Sequence, residues 1–196
     1  MKELSINEIE EIRIKILDNA RELLEEAELL LANKRYARAY KLSHLACEEM
    51  AKIPIIVNAG IEKLRGLEVN WKQVDQKMRN HKVKIKSFLF IDFLFDFDTE
   101  NDKDIKRLFD DLDMVGEYNN LKNYSLYTGR VHENFYKPSE LFNEVFVVAS
   151  LKLAKNRLIF FEDSEKLLQG KLKEFLKSPN FEEEAKKYFD GFYKKK

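Results

Sequence analysis

One glutamate on an apolar helix face is the residue whose surroundings most favour chemistry. On a helical wheel Glu49 falls near the centre of that face, with Ala46 and Ile53 one turn away on either side. A buried carboxylate needs a partner, because an unpaired buried charge is costly. The pattern predicts that Glu49, taken with Lys52, is either part of a structural ion pair with another helix or a polar group lining a site between helices. Glu48 points away from this face, so we expect it in solvent or at an interface.

The three histidines are the next residues whose types could do chemistry. His44 lies one turn before Glu48, so a His–Glu pair is sterically possible. An ordinary surface or hydrogen-bonded side chain is the alternative for each histidine. Basic residues accompany the other two histidines, where they could contact phosphate or simply form a solvated face. The residues that we assign as contacts to RNA or to a partner are Arg130, His132, Arg79, His81 and Lys82.

The chain lacks the motifs of metal and cofactor chemistry. Cys47 is its single cysteine, so no internal disulfide can form, and the C-x-x-C and H-E-x-x-H spacings are absent. No Walker loop, Rossmann glycine pattern or nucleophile elbow occurs. We therefore expect no metal and no cofactor. The phenylalanines between Phe88 and Phe97 are predicted to belong to the core or to an oligomer interface, because stacking on RNA requires exposed rings beside Lys or Arg.

Helical periodicity runs through most of the chain and predicts an all-α fold. Ser5 and Glu8 form a capping-box pattern, and Pro54 predicts a kink or break in the second helix. With only six glycines and three prolines, no segment alternates as a strand would. The first expected elements are a helix from Ser5 to about Asn33, one from Arg35 to Asn58 capped by Gly60, and a bent helix from Trp71 to Phe95. A fourth helix from Thr99 to Asn123 and an irregular stretch from Tyr124 to Pro138 follow. The last elements are a helix from Ser139 to Leu168 ending at Gly170 and a short helix from Asn180.

Composition excludes several classes of protein. The 196 residues fit one ordinary domain, and 44% hydrophobic residues with zero net charge exclude a mainly disordered chain. The 35 basic residues are balanced by 35 acidic ones, which argues against a generally basic nucleic-acid coat or a polycationic membrane binder. The most apolar stretch, Phe88 to Phe95, is too short to span a bilayer, and the N-terminus has no signal-peptide pattern. We expect an intracellular, cytoplasmic protein that contacts no membrane.

Four short segments together carry a family resemblance. They are Asn33 to Tyr40 (Asn-Lys-Arg-Tyr-Ala-Arg-Ala-Tyr), Cys47 to Lys52 (Cys-Glu-Glu-Met-Ala-Lys), His81 to Lys84, and the loop from Leu126 to Pro138. Their order and spacing resemble the AbiV type of abortive-infection proteins, a branch of the HEPN superfamily. The resemblance covers most of the chain up to about Leu168. It implies a HEPN-like bundle of four to five long helices over residues 1–170, with residues 171–196 as a short C-terminal helical extension of the same domain.

Many HEPN proteins are ribonucleases in which two R-N-x-x-x-H motifs face each other across a dimer. The matching place here runs from Lys122 to Tyr127, so the resemblance implies Lys122, Asn123 and Tyr127 as the catalytic residues. Lys binds phosphate without the planar fork of Arg. Tyr, with a pKa of about 10, is a weaker acid–base catalyst near neutrality than His. Arg130 and His132 in the adjoining loop are the substitutes that we would test.

The resemblance implies a phage-defence protein that shuts down host gene expression, at translation, when a phage-encoded protein activates it. It also implies a homodimer, whose two-fold axis we expect near Lys122 and the loop from Tyr124 to Pro138. The 15 Phe and 8 Tyr residues support a dimer independently, because surplus apolar surface tends to be covered by a partner. RNA or the translation machinery are further expected partners. Two alternatives stay open: a metal-independent endoribonuclease and a non-catalytic protein-binding adaptor.

Overall fold

The computed structural model describes residues 2–96, 113–131 and 133–168. Within these ranges the chain is a helical bundle with one small hairpin, so the predicted all-α fold is confirmed. No helix among the described residues is long and apolar enough to cross a membrane. The elements are α1 (Ile6–Ala32), α2 (Tyr36–Met50), α3 (Lys52–Leu64), α4 (Trp71–Arg79), α5 (His81–Asp96), α6 (Val115–Tyr124), β1 (Gly129–Val131), β2 (Asn134–Tyr136), α7 (Pro138–Leu141) and α8 (Glu144–Leu168).

Helix α2 lies at the centre of the bundle. Helices α1 and α8 pack along it and share one apolar core with it. Small side chains allow this close packing, since Ala20 and Ala27 of α1 and Ala46 of α2 have no exposed surface. Helices α5, α6 and α7 contact α2 from other directions. Because α2 is enclosed on several sides, it buries polar residues as well as apolar ones, among them Ser43 and Glu48.

The capping box predicted from the sequence begins α1. The Ser5 hydroxyl accepts a hydrogen bond from the backbone N–H of Glu8 at 3.2 Å. The Glu8 carboxylate in turn accepts one from the backbone N–H of Ser5 at 2.7 Å. Each contact satisfies a backbone donor that has no partner inside the helix, and the prediction is confirmed.

The second predicted helix is two helices. Helix α2 ends at Met50 and α3 begins at Lys52, so the break expected at Pro54 occurs a few residues before it. Pro54 lies in the first turn of α3, where a missing backbone N–H costs no helical hydrogen bond. Helix α3 continues to Leu64, so Gly60 is a buried residue within it rather than the predicted cap.

The third predicted helix bends at Asn80, which separates α4 from α5. Asn80 has an extended backbone, and its side chain accepts a hydrogen bond from the N–H of Val83, which satisfies a donor in the first turn of α5. The described part of the fourth predicted helix is α6, together with the turn before it. The start of that helix at Thr99 lies outside the described residues, as do Gly170, the short helix from Asn180 and the extension over residues 171–196.

A β-hairpin replaces part of the stretch that we expected to be irregular. Strands β1 and β2 pair antiparallel, with Arg130 opposite Phe135. The predicted helix from Ser139 is also divided, because Phe142 adopts an extended backbone between α7 and α8. The side chain of Asn143 then accepts a hydrogen bond from the N–H of Phe146 in the first turn of α8.

Candidate functional site

Glu48 is the centre of a buried polar cluster formed by three helices. Its side chain is only 3% exposed. Its Oε2 atom lies 2.6 Å from Nδ1 of His81 and 2.7 Å from Nζ of Lys84. Its Oε1 atom accepts a hydrogen bond from Nζ of Lys122 at 3.2 Å and lies 3.3 Å from Nε2 of His44. One carboxylate is therefore surrounded by four side-chain nitrogens, and we call these five residues the Glu48 cluster.

Helical spacing explains how the Glu48 cluster is assembled. His44 and Glu48 are one turn apart on α2, which produces the His–Glu pair that the sequence made sterically possible. His81 and Lys84 are one turn apart at the start of α5, so both reach the same carboxylate. Lys122 enters from the last turn of α6. Three separate helices are thus held together by one negative charge.

The electrostatics of the cluster fix the charge of Glu48 and His44. Burial by itself raises the pKa of Glu48, but His44, Lys84 and His81 outweigh that effect and hold the pKa well below its ordinary value. Burial lowers the pKa of His44 below its ordinary value of 6.5, although the neighbouring Glu48 carboxylate opposes the shift. Glu48 is therefore ionised and His44 neutral near pH 7.

The prediction that Glu49 is the buried carboxylate of this helix is wrong, because its side chain is 20% exposed. Glu49 pairs at 2.5 Å with Lys52, which is three residues along the chain and is the first residue of α3. Glu48, which we expected in solvent or at an interface, does not lie in solvent and is buried between helices. The chain breaks between α2 and α3, so Ile53 belongs to a new helix and does not mark the buried face of α2.

The three residues predicted to be catalytic lie in two environments. Lys122 is buried, with its side chain 5% exposed, and its ammonium group contacts Glu48. Asn123 is exposed, and Tyr127 is 67% exposed in the turn after α6. The structure therefore brings Lys122 together with His81 at Glu48, and it leaves Asn123 and Tyr127 outside that buried cluster. Their catalytic role stays a prediction.

The residues predicted to contact RNA or a partner are spread over the surface. Arg79 is exposed at the end of α4 and pairs with Asp75 at 3.2 Å. Lys82 is exposed on α5, next to His81 in the chain. Arg130 is exposed on β1. His132 lies outside the described residues.

Arg38 fixes the end of α6, where the predicted motif begins. Its guanidinium donates hydrogen bonds to the carbonyl oxygens of Ser125 and Leu126, at 3.3 and 3.0 Å. Carbonyls at the end of a helix lack partners inside the helix, so these contacts stabilise the terminus. The buried Ser125 hydroxyl also donates to the carbonyl of Lys122 at 2.6 Å. Arg38 is thus a positioning residue for the segment that follows Lys122.

Sequence reasoning missed Lys84 as a member of the cluster and chose the wrong glutamate. Two signals in the sequence point to both residues. His44 and Glu48 share one face of their helix, and Lys84 follows His81 by three residues, so these two basic groups share one face of theirs. No group of three or more His, Cys, Asp or Glu side chains within the described ranges is placed to hold a metal ion.

The fold and the Glu48 cluster define an all-α protein in which a carboxylate of the second helix holds a lysine of a later helix. Residues 8–159 match the family model HEPN_AbiV, described as AbiV. The match covers most of the chain, so the protein belongs to the AbiV family of HEPN proteins, and the resemblance inferred from the sequence is confirmed. This membership suggests a role in abortive infection, a form of phage defence. No curated protein and no solved structure matches the chain.

Proposed function

We propose that this protein acts in abortive infection by halting host gene expression, at translation, after a phage-encoded protein activates it. The observation that carries the proposal is the match to the AbiV family over residues 8–159. Lys122, the first residue of the segment that matches the family motif, is held by Glu48 in a buried ion pair, so the position of that segment depends on Glu48.

The experiment that tests the proposal expresses the protein in a phage-sensitive bacterium. We expect fewer plaques than with an empty vector, and a fall in amino-acid incorporation that occurs only when cells carrying the protein are infected. Unchanged plaque numbers across a broad panel of phages would reject the defence function. Fewer plaques with undiminished incorporation would keep defence and reject translation as the step that is halted.

The functional form that we propose is a cytoplasmic homodimer. Tyr127 and Phe135 are 67% and 75% exposed, and both lie in the stretch from Tyr124 to Pro138 that we expect near the two-fold axis. Burial of such rings against a second copy removes apolar surface from water and so favours association. Light scattering of the purified protein measures the mass: about twice 23.3 kDa is expected, and a value near 23.3 kDa would reject the dimer.

A metal-independent endoribonuclease is the second candidate function, and the environment of His81 favours it. The ring of His81 is 53% exposed while its Nδ1 atom lies 2.6 Å from the buried Glu48 carboxylate. A carboxylate that contacts one ring nitrogen orients a histidine whose side chain is half exposed, an arrangement suited to general acid–base catalysis. Arg130 and Phe135 are both exposed and directly opposite each other on the hairpin, which offers RNA a cation beside a ring.

Purified protein and labelled RNA in a chelating buffer test this second function. Cleavage is expected to persist in the chelator and to be lost in His81→Asn and Lys122→Ala, while Tyr127→Phe reports on the catalytic role implied by the family motif. Lys72→Ala is the matched control, because Lys72 is an exposed basic residue of the neighbouring helix α4 that we assign to no site. Intact RNA both in the purified reaction and in infected cells would reject the nuclease.

A non-catalytic adaptor is the third candidate, and the outer face of α8 favours it. Val145, Val148 and Ile159 are 81%, 45% and 55% exposed along one side of this helix. A row of exposed apolar side chains is typical of a protein-binding surface. Pull-downs from infected and uninfected cells, with wild-type protein and Val148→Glu, test it. Capture of a phage protein by the wild type alone supports the adaptor, and equal recovery by both rejects this face.

A further inference from the structure

A groove of about 290 Å³ lies where the start of α2 meets the chain on either side of the hairpin. Its lining comes from the turn between α1 and α2, from Thr128 before β1, and from the segment that follows β2. The proposed function assigns nothing to this space. We call it the basic groove, because the described residues of its lining include no carboxylate and four cationic side chains: Lys34, Arg35, Arg38 and Lys137.

Three of these cations have no counter-charge. Within the described ranges, Lys34, Arg35 and Arg38 form no ion pair with a carboxylate. Arg38 donates hydrogen bonds to the carbonyl oxygens of Ser125 and Leu126, but these acceptors are uncharged and do not neutralise the guanidinium. Like charges held close together repel each other, so an anion bound between them is favoured.

Two carboxylates beside the groove leave the positive charge in excess. Glu140 lies 4.0 Å from Nζ of Lys137 and is 48% exposed, so solvent screens this contact. Glu144 accepts a hydrogen bond from the hydroxyl of Tyr36 at 3.1 Å. Even when both carboxylates are counted against the four cations, the groove keeps a net positive charge. It therefore favours an anionic ligand over a neutral or cationic one.

The backbone at Lys34 supports a role in binding. Lys34 follows the end of α1 with a φ of 58°, in the left-handed region. Glycine usually occupies this position after a helix, because a side chain carries a steric cost there. The side chain of Lys34 is exposed and forms no ion pair with the described part of the fold. Residues in such conformations cluster at ligand-binding sites, where the side chain serves the ligand rather than stability.

Hydrogen-bond donors in the groove fit a phosphate group. Thr128 and Ser139 place exposed hydroxyl residues in the lining. Helix α2 also begins here, and its N-cap, Arg35, supplies no side-chain hydrogen bond to the first turn. The positive end of the helix dipole therefore adds to the charge of the side chains. Guanidinium, ammonium and hydroxyl groups are common donors to phosphate oxygens.

An aromatic side chain lies beside the cations. Tyr36 lines the groove together with Pro138 and Phe142, and its ring is half-buried with its hydroxyl held by Glu144. A base packs on an aromatic face while its phosphate binds cations, which is how proteins commonly hold single nucleotides of a strand. A volume of about 290 Å³ is at the small end of ligand sites and suits one nucleotide.

We propose that the basic groove binds the phosphate group of a nucleotide. The phosphate lies against Lys34, Arg35 and Arg38, and the base packs beside Tyr36. The nucleotide is free or belongs to an RNA strand, since both present the same phosphate chemistry. Because Arg38 also holds the carbonyls that follow α6, the bound phosphate lies next to the segment of the family motif. This inference goes beyond the proposed function and stands on the groove alone.

Calorimetric titration of the purified full chain with three probes tests the proposal. The probes are uridine, uridine monophosphate, and a short oligouridylate whose ribose hydroxyls are methylated so that binding is measured apart from any cleavage. We expect uridine monophosphate to bind about ten-fold more tightly than uridine, because only the nucleotide carries a phosphate. Equal affinity for these two, or no binding of either phosphate-bearing probe, would overturn the proposal.

The oligouridylate distinguishes the two sources of the phosphate. Tighter binding of the oligouridylate than of uridine monophosphate identifies an RNA strand as the ligand. Binding of uridine monophosphate that the oligouridylate does not exceed identifies a free nucleotide. Both results support a site for a nucleotide phosphate, and substitutions then test whether that site is the basic groove.

Lys34→Gly combined with Arg35→Ala removes two cations from the groove without weakening the fold. Glycine suits the left-handed turn, and Arg35 gives α2 no side-chain cap, so the free energy of unfolding should not fall. The affinity for the phosphate-bearing probes should fall about ten-fold or more.

Lys15→Ala combined with Arg65→Ala is the matched control. It removes the same two charges from exposed positions outside the groove and should leave the affinity unchanged. Equal affinities in the two double variants would overturn the assignment to the basic groove. None of these readouts depends on plaque counts or on RNA cleavage, so the groove and the defence function fail or stand separately.

Discussion

Glu48 and Lys122, which are 74 residues apart, meet in a hydrogen bond of 3.2 Å between side chains that are 3% and 5% exposed. The same carboxylate lies 2.7 Å from the ammonium group of Lys84. A single negative charge therefore compensates two buried positive charges that come from different helices. Each of the two lysines depends on Glu48 for the neutralisation of its charge, and α2, α5 and α6 depend on it for their relative position.

Glu48→Ala should be strongly destabilising. It leaves the ammonium groups of Lys84 and Lys122 buried without a counter-charge, and removal of one partner of a buried pair costs about 3–5 kcal/mol. Urea denaturation followed by circular dichroism measures the free energy of unfolding. Glu49→Ala is the matched control, because Glu49 contacts a residue only three positions away and is partly exposed. It should cost about 1 kcal/mol or less. Equal losses in the two variants would contradict the central position of Glu48.

Stability should fall when the solution is acidified, in two stages. Burial lowers the pKa of His44 below 6.5. Below about pH 6.5, His44 therefore binds a proton in the unfolded chain but not in the folded protein, and the free energy of unfolding decreases. The pKa of Glu48 is also lowered. The ionised Glu48 carboxylate therefore stabilises the fold fully above pH 4.5, the ordinary pKa of glutamate, and this stabilisation is lost as the pH falls further. Unfolding free energies measured between about pH 7.5 and pH 4 test both stages.

His44→Gln separates the two stages of acid destabilisation. Glutamine does not titrate, so the variant should lose the decrease that begins near pH 6.5 and keep the one that begins near pH 4.5. A wild-type profile that is flat from about pH 7 to pH 5 would show that His44 is not held in its neutral form.

The contrast between Glu48 and Glu49 shows how far sequence patterns reach in this chain. Periodicity located the helices, because each buries a continuous apolar face. The helical wheel predicted the wrong glutamate as buried, because it treated the chain from Arg35 to Asn58 as one helix. In the structure α2 ends at Met50 and a new helix, α3, begins at Lys52. It also assumed one buried face for α2, which several helices enclose. Only the positions of those helices identify the buried carboxylate.

The hairpin was missed for a different physical reason. Strands β1 and β2 contain three residues each, too few for an alternating pattern to emerge. The sequence predicted the end of a helix at about Asn123, and α6 ends at Tyr124. It could not predict that Lys122 is buried while Asn123, the next residue, is exposed, because that depends on the position of α2 against α6.

Arg38→Ala should destabilise the protein by about 1–2 kcal/mol, because it removes the donor that satisfies the Ser125 and Leu126 carbonyls. The loss should be accompanied by faster amide hydrogen exchange at the end of α6. Arg35→Ala is the control, since Arg35 is an exposed arginine three residues earlier. Exchange at α6 that is the same in Arg38→Ala as in the wild type would contradict the positioning role of Arg38.

Two ion pairs between α1 and α8 should differ strongly in their contribution to stability. Arg13 is 1% exposed and its Nε donates to Glu165 at 2.7 Å, whereas Arg21 is 43% exposed and pairs with Glu162 at 2.6 Å. Glu165→Ala leaves a buried guanidinium without its counter-charge and should cost about 3–5 kcal/mol. Glu162→Ala breaks a solvent-screened pair and should cost at most about 1 kcal/mol. Thermal unfolding of both variants measures the difference, and similar losses would contradict the burial of Arg13.

The most direct test of the account is a plaque count with Glu48→Gln and Glu49→Gln compared side by side with the wild type. Both substitutions remove one negative charge and keep the shape of the side chain, and they differ only in which member of the Glu48–Glu49 pair is changed. At equal protein levels, the wild type and Glu49→Gln should reduce plaques from a susceptible phage, while Glu48→Gln should not, because it releases Lys84 and Lys122. Full protection by Glu48→Gln, or no protection by the wild type against any phage of a broad panel, would contradict the account.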